Sequence, residues 1–168
     1  TLKVAFGQTK ILRRPVAGLM HALVWWGFLI ILIGSIEIVI DGLAGTGKML
    51  ASLGVVYDIF TAGGDVFALI IAALVIAFLV RRIFMHIGRF NGIEMKHKWH
   101  VDANIALSLI LFLMITLTGM NTFYLIDSEL SGSEIAGIYP VSRILAGLIN
   151  GVSDQTAHAV YEIFWWGH

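Results

Sequence analysis

Long apolar runs dominate this sequence and restrict what it can fold into. Residues 16–40 carry only two ionisable side chains, His21 and Glu37. At about 1.5 Å of helical rise per residue, this run is long enough to cross a hydrocarbon core of about 30 Å. Further apolar runs cover 66–80 and 103–126, and 58% of the residues are hydrophobic, above the roughly 45–50% of a soluble domain. The sequence therefore predicts an integral membrane protein.

A fourth helix is expected to begin near Ser153 and Asp154, which form a favourable N-cap pair. It is still continuing when the chain reaches His168. About fifteen residues are too few to cross a bilayer, so we expect the natural polypeptide to continue beyond this sequence.

Two other segments, 48–61 and 141–149, are too short or too polar to cross and are predicted to lie at the membrane interface. The predicted fold class is all-α: an integral membrane helical bundle of about four transmembrane helices with short interfacial helices. No repeat or linker divides it, so residues 1–168 are expected to form a single domain.

The placement of basic residues predicts the orientation. Because cytoplasmic loops are enriched in Lys and Arg, we expect the N-terminus and the 88–102 loop to be cytoplasmic, and the 41–65 and 127–154 loops to face outward, in the inner membrane of a prokaryote. Only Lys48 and Arg143 fall on the outward side. The predicted cytoplasmic side carries Lys3, Lys10, Arg13, Arg14, Arg81, Arg82, Arg89, Lys96 and Lys98.

Histidines inside the apolar runs are the candidates for chemistry. The chain has no Cys, so it supplies no thiolate or iron–sulfur ligand, and its six His are its strong metal-ligating side chains. An ionisable residue within a membrane span is costly and indicates a function, which directs attention to His21, His158 and His168. Two neutral imidazoles from facing helices would form a six-coordinate haem site suited to electron transfer.

Helical rise places His21 and His168 at nearly the same depth, which predicts that they are axial ligands of one b-type haem. His158 lies about 15 Å nearer the outer surface, where a second haem or a quinone site would fit. Trp25 and Trp165 are expected to pack against the porphyrin. The alternative is structural: His21 would bond a backbone carbonyl, and the Trp residues would fill space or anchor the helices in lipid.

The remaining histidines, His86, His97 and His100, lie in or beside the basic cytoplasmic segment. There they are expected to meet water and lipid headgroups, and we do not predict them to be ligands.

A phosphate-binding pattern also occurs but is not expected to function. Residues 42–48 read G-x-x-x-x-G-K, yet Met49 replaces the Ser or Thr that would bind magnesium, and the segment follows a membrane helix instead of a strand. Neither this segment nor the balanced charge of the chain predicts nucleotide or nucleic-acid binding.

Carboxylates near the outer ends of the first and fourth helices could take protons from a quinol. Glu37 and Asp41 lie one turn apart there, and they are expected to share that depth with Asp154, His158 and Glu162. The alternative is a set of solvated helix ends, with Asp154 acting as an N-cap.

The chain resembles one known family through four stretches: RRPVAGLMHALVWWGFLIILIGSIEIVIDGL, the second apolar run ending in RRIF, the EMKHKWHVDAN loop and the terminal WWGH. It is similar to the membrane domain of respiratory nitrate reductase gamma-like cytochromes b, as found in the N-terminal part of heterodisulfide-reductase-related iron–sulfur oxidoreductases.

This resemblance implies electron transfer through haem b between the quinone pool and an iron–sulfur partner on the cytoplasmic side, and a C-terminal continuation carrying the cluster-binding cysteines. Members of the family with two haems have a second His ten residues after the position of His21, where this chain has Ile31, so one haem is expected and a second is open. The family pairs its first-helix His with a His beyond residue 168, which leaves the partner of His21 open.

The function predicted from the sequence is thus electron transfer, as a subunit or domain of a quinone-linked oxidoreductase. Two alternatives remain. A haem-free membrane anchor would dock a soluble redox subunit through its basic loop. A transporter component is less consistent with spans that hold no acidic residue deeper than Glu37 and few Gly or Pro interruptions.

Overall fold

The computed structural model describes residues 15–84 and 97–168, and its regular elements in these ranges are all helical. They are α1 (Pro15–Ala44), a 3₁₀ helix (Met49–Leu53), α2 (Val55–Phe84), α3 (His97–Ser131), α4 (Pro140–Leu148) and α5 (Asp154–Gly167). This confirms the all-α fold class.

Three of the described helices are long and apolar enough to cross a membrane. The candidate spans are Gly18–Ala44, Val55–Arg82 and Asp102–Ser131. Within this chain, α5 has 14 residues and is shorter than a span. Large apolar side chains such as Phe28 and Leu32 lie on the outside of the bundle, as expected where hydrocarbon replaces water around a protein.

The second span begins earlier than predicted. We expected a separate interfacial segment at 48–61 and a span starting after Asp65, whereas α2 runs without interruption from Val55. Gly63 and Gly64 suggested a break, but a helical Gly costs only about 1 kcal/mol relative to Ala. A Cβ at Gly63 would lie 3.4 Å from the Ile30 side chain of α1, so this Gly allows close packing between the two helices.

The long helices pack in chain order. A side chain at Gly27 of α1 would collide with Phe67 of α2, and one at Gly119 of α3 would collide with Phe164 of α5, each at 2.7 Å. Successive long helices are antiparallel, so α1 and α3 run in the same direction. The core between α1, α2 and α3 contains Ile31, Ala68, Ile71, Val75, Met114, Leu117 and Met120.

Helices α1 and α5 stand at the two ends of this row and flank a cleft. They approach each other where the ring of Trp165 lies 3.1 Å from the position of a Cβ on Gly42. We call this space the α1–α5 cleft.

The connection between α1 and α2 and the connection between α3 and α5 meet at one end of the bundle, here called the loop end. The opposite end, which carries Arg81, is the basic end. The Asp65 carboxylate of α2 accepts hydrogen bonds from the backbone N–H of Val141 at 2.7 Å and of Ser142 at 3.0 Å, and the Ser142 hydroxyl also donates to it. These bonds satisfy the first N–H groups of α4. The prediction that both connections share one end is confirmed.

Helix α4 corresponds to the predicted interfacial segment 141–149 with nearly the same bounds. One side is buried through Ser142, while Ile144 and Leu148 are exposed. Such a strongly amphipathic helix is typical of a membrane interface.

Candidate functional site

His168 ends α5 and lies against α3. Its Nδ1 is 3.1 Å from the carbonyl oxygen of Leu113 and 3.2 Å from the hydroxyl of Thr116. That hydroxyl itself donates to the Leu113 carbonyl at 2.9 Å. Because a carbonyl only accepts hydrogen bonds, Nδ1 must carry the proton, and Nε2 of the neutral ring keeps its lone pair. Metal-ligating histidines in proteins are commonly held in this way.

His21 has a different environment. Its side chain is exposed on α1, as is that of Trp25 one turn further on. The described residues therefore leave this face of α1 open.

The two imidazoles lie at different depths. Ile38 of α1 and Met120 of α3 line the same cleft at the loop end. His21 precedes Ile38 by 17 residues, whereas Leu113, the contact of His168, precedes Met120 by only 7. His168 is thus about ten residues, or roughly 15 Å, closer to the loop end.

The prediction that His21 and His168 share one depth does not fit this register. Helix α1 has 30 residues and extends further toward the basic end than the shortest helix that could cross a bilayer. His21 lies in this extra length and is therefore nearer the basic end.

His158 lies at the loop end with its ring exposed. Its Nδ1 is 3.2 Å from the Asp127 carboxylate, and this partner raises the pKa of the imidazole. Its partner is therefore Asp127 and not Glu37 or Asp41, whose depth it was expected to share. Ser153 is the N-cap of α5, because its hydroxyl accepts a hydrogen bond from the Thr156 N–H. The alternative prediction, in which Asp154 is the N-cap, is wrong.

Glu37 is buried, which contradicts a solvated helix end. Its side chain is only 5% exposed. One carboxylate oxygen accepts from the backbone N–H of Leu50 at 3.0 Å, and the other accepts from the hydroxyl of Tyr57 at 3.1 Å. A buried carboxylate needs such donors, and these two come from the 3₁₀ helix and from α2.

Asp41 is also buried and is held by the G-x-x-x-x-G-K loop. Its oxygens accept from the Thr46 hydroxyl at 2.7 Å and from the backbone N–H groups of Lys48 at 2.8 Å and Met49 at 3.1 Å. Lys48 adopts a left-handed backbone conformation with φ 58° to make this turn. The loop thus binds a carboxylate of its own chain, which no pattern in the sequence indicated.

The Lys48 side chain turns inward. Its ammonium donates to the Tyr139 hydroxyl at 3.2 Å and lies 4.6 Å from the centre of the Tyr124 ring. Burial lowers the pKa of this ammonium, and the nearby carboxylates of Glu37 and Asp41 oppose that shift. Burial likewise raises the pKa of the Tyr139 phenol.

These groups border the α1–α5 cleft, which has a volume of about 600 Å³. Glu37, Asp41 and Lys48 line its α1 side. Tyr161 and Trp165 of α5 line the other side. The cleft combines flat aromatic walls with a charged end. Glu37 and Lys48 also line a smaller cavity of about 90 Å³ between α1, α2 and α3.

The part of the chain that the structure describes contains no group of three His, Cys, Asp or Glu side chains arranged to hold a metal ion. Haem needs only axial ligands from the protein, so this finding does not bear on it. His86 lies outside the described residues, as do the side chains of His97 and His100.

Comparison with known proteins found a relative that matches almost the whole chain. The chain is similar to an iron–sulfur oxidoreductase. The relative is "Probable iron-sulfur-binding oxidoreductase FadF" of Bacillus subtilis (strain 168), which is 33% identical over 166 residues. The match covers 97% of this chain and 21% of the relative, so the chain spans about a fifth of the length of the curated relative it matches. No family model matches the chain. No solved structure matches it either.

The similarity supports the iron–sulfur oxidoreductase part of the predicted resemblance. The cytochrome b part stays a prediction, as do haem, quinone and the cytoplasmic position of the N-terminus.

Proposed function

We propose that this chain is the membrane electron-transfer domain of a quinone-linked oxidoreductase, passing electrons through haem b between quinone and an iron–sulfur partner. The observation that carries the proposal is the similarity to an iron–sulfur-binding oxidoreductase along almost the whole chain. The three described helices that are long and apolar enough to span a membrane support a role within a bilayer.

The iron–sulfur cluster belongs to a partner or to another part of the polypeptide, because this chain has no Cys. The basic end is the proposed docking side. Arg81 is exposed there at the end of α2, and Arg89, Lys96 and Lys98 follow in the sequence. Clustered basic residues attract an acidic partner or lipid headgroups.

His168 fits a haem ligand by its chemistry. Its Nδ1–H is taken by the Leu113 carbonyl, which orients the ring and leaves Nε2 available to iron. Trp165, one turn earlier, offers a flat apolar surface beside it. Bound haem would supply a one-electron carrier there.

His21 is the proposed ligand of a haem nearer the basic end. An exposed imidazole among lipid chains is unfavourable, and a cofactor on this face of α1 would cover both His21 and Trp25. Because the register separates His21 from His168, we assign them to different haem positions, each completed by a ligand that the described residues do not provide. His158, exposed and paired with Asp127, is left out of the proposal.

Optical spectra of the complete native protein test this assignment. We expect b-type bands in the reduced-minus-oxidised spectrum, part of which is lost in His21→Ala and a different part in His168→Ala. The matched control is the double variant His97→Gln, His100→Gln, which should keep the full spectrum.

Complete loss of the bands in each single variant would instead indicate one shared haem. Absence of b-type bands, or full intensity in both single variants, would contradict the haem proposal and favour the haem-free anchor.

A further inference from the structure

The α1–α5 cleft has the features of a site for a flat ring with polar ends. Tyr161 and Trp165 give it aromatic walls, and its volume of about 600 Å³ exceeds what a bicyclic ring needs. Since α1 and α5 do not pack along their lengths, a molecule dissolved in the bilayer can enter sideways between them.

One wall of the cleft carries the buried carboxylate of Glu37, which forms no ion pair with the described residues. Within the described residues, Glu37 takes only neutral donors, the Leu50 N–H and the Tyr57 hydroxyl. By contrast, Asp65 accepts from three separate groups of α4 and from Asn121, so its oxygens are fully committed to structure. Asp41 also takes only neutral donors, but three of them, the Thr46 hydroxyl and the N–H groups of Lys48 and Met49. Among these three buried carboxylates, Glu37 accepts the fewest hydrogen bonds and keeps the most capacity for a further proton.

We propose that the cleft binds a hydroquinone ring and that Glu37 accepts the protons released when the ring is oxidised. This rests on the proposed function, which supplies the ferric haem as oxidant. Both ring O–H bonds break, and the two electrons leave one at a time. Each would reduce one ferric haem, which would pass it to the iron–sulfur partner before the second electron follows. Each proton goes in turn to a carboxylate oxygen of Glu37 and then to water at the loop end, where Glu134 and Glu162 line the same cleft.

The position of the cleft suits this transfer. Trp165 lines one wall of the cleft, and His168 follows it within one helical turn, so a ring bound against Trp165 would lie near the proposed ligand.

The protonation of Glu37 depends on groups from each element packed around it. Lys48 and Asp41 are the charged groups beside it, and Tyr57 donates a hydrogen bond to its carboxylate. The other titratable groups at the cleft and its borders are Tyr124, Glu134, Tyr139, Tyr161 and Glu162.

The test is the rate of haem reduction by a short-chain naphthoquinol, measured by stopped flow on the complete native protein in lipid vesicles. Loss of a general base typically slows a step by 10²–10⁴-fold, so we expect Glu37→Gln to slow reduction by roughly 100-fold and to remove its pH dependence. Glu37→Asp should restore part of the rate. The matched control is Glu129→Gln, an exposed carboxylate of α3 that should leave rate and pH profile unchanged.

Haem content and reduction by dithionite separate the two proposals. If Glu37→Gln keeps its b-type spectrum and loses quinol-driven reduction, the inference holds. If it keeps the wild-type rate and pH profile, the inference fails while the proposed function stands. If the wild-type protein has no haem, the proposed function fails.

Tyr57→Phe is the second variant, in case Glu37→Gln does not fold. It removes the hydroxyl donor and keeps the ring, and the pH profile of reduction should move to higher pH because the carboxylate loses a stabilising bond. An unmoved profile would overturn the proposal.

Discussion

The loop end and the outer face of α1 differ in whether their polar residues are buried and hydrogen-bonded. At the loop end, Glu37, Asp41 and Asp65 are buried, and each accepts at least two hydrogen bonds. On α1, His21 and Trp25 are exposed. The loop end thus stabilises itself, whereas the open face of α1 obtains its contacts from lipid, a cofactor or further protein. Changes at the two places should therefore report on stability and on cofactor binding, respectively.

Asp65→Ala should cause the largest loss of stability. It would leave the N–H groups of Val141 and Ser142 and the Ser142 hydroxyl without an acceptor, at about 1–3 kcal/mol for each unsatisfied group. Thermal unfolding in detergent measures this, with Asp154→Ala as the control, because Asp154 is exposed and is not the helix cap. Equal melting temperatures for the two variants would show that the loop end does not depend on this carboxylate.

Gly119→Val should have an intermediate effect. The new side chain would meet the Phe164 ring, and overpacking of this kind costs about 1–3 kcal/mol. Because α5 must shift, we also expect reduced haem signal from the His168 site. Gly34→Ala is the control, since a Cβ there meets nothing within 4 Å. A normal spectrum in Gly119→Val would separate haem binding from the α3–α5 contact.

Thr116→Val tests the support of the His168 ring with a smaller change. The Leu113 carbonyl still accepts from Nδ1, and only the hydroxyl contact is lost. Losing a supporting contact typically weakens metal binding 10–100-fold, so we expect an effect of about tenfold or less on haem retention. Haem content after dialysis measures it. Complete loss would mean that the hydroxyl, and not the carbonyl, orients the ring.

His158→Gln should have the smallest effect and the clearest pH dependence. Asp127 raises the pKa of the folded imidazole above its ordinary value, so the pair stabilises the fold below that ordinary value and loses its effect as pH rises through the folded pKa. The variant should therefore melt slightly earlier than wild type in mild acid and together with it in alkali. A difference that grows with pH would contradict the pairing.

The sequence predicted what depends on local pattern. Apolar length identified the spans, and the short amphipathic segment was found with nearly the right bounds. Prediction from the sequence failed where the position of a residue depends on a partner that is distant in the chain. The second span was expected to start after Asp65, yet this residue lies inside α2 and its donors are 76 and 77 residues away on α4. Gly63 and Gly64 looked like a break because their packing against α1 is invisible in a linear pattern.

The candidate site shows the same division. His168 was recognisable as an imidazole in an apolar run, but its tautomer depends on a carbonyl of α3, 55 residues away. Glu37 was recognised as a candidate proton acceptor, while its burial depends on the 3₁₀ helix folding over it. The relative depths of His21 and His168 could not follow from counting, because helix α1 extends beyond the minimal thickness of a bilayer.

The loop around Asp41 also has a consequence for ligand competition. A tethered carboxylate competes with free anions at an effective concentration in the millimolar range or above, even for a flexible tether. Asp41 stands at the end of a helix and is held close to these N–H groups at all times. A free phosphate would have to displace the Asp41 carboxylate, which is always present and also lies near the Lys48 ammonium. The G-x-x-x-x-G-K segment is therefore an anion site that supplies its own anion, and cellular nucleotide levels should leave it unaffected.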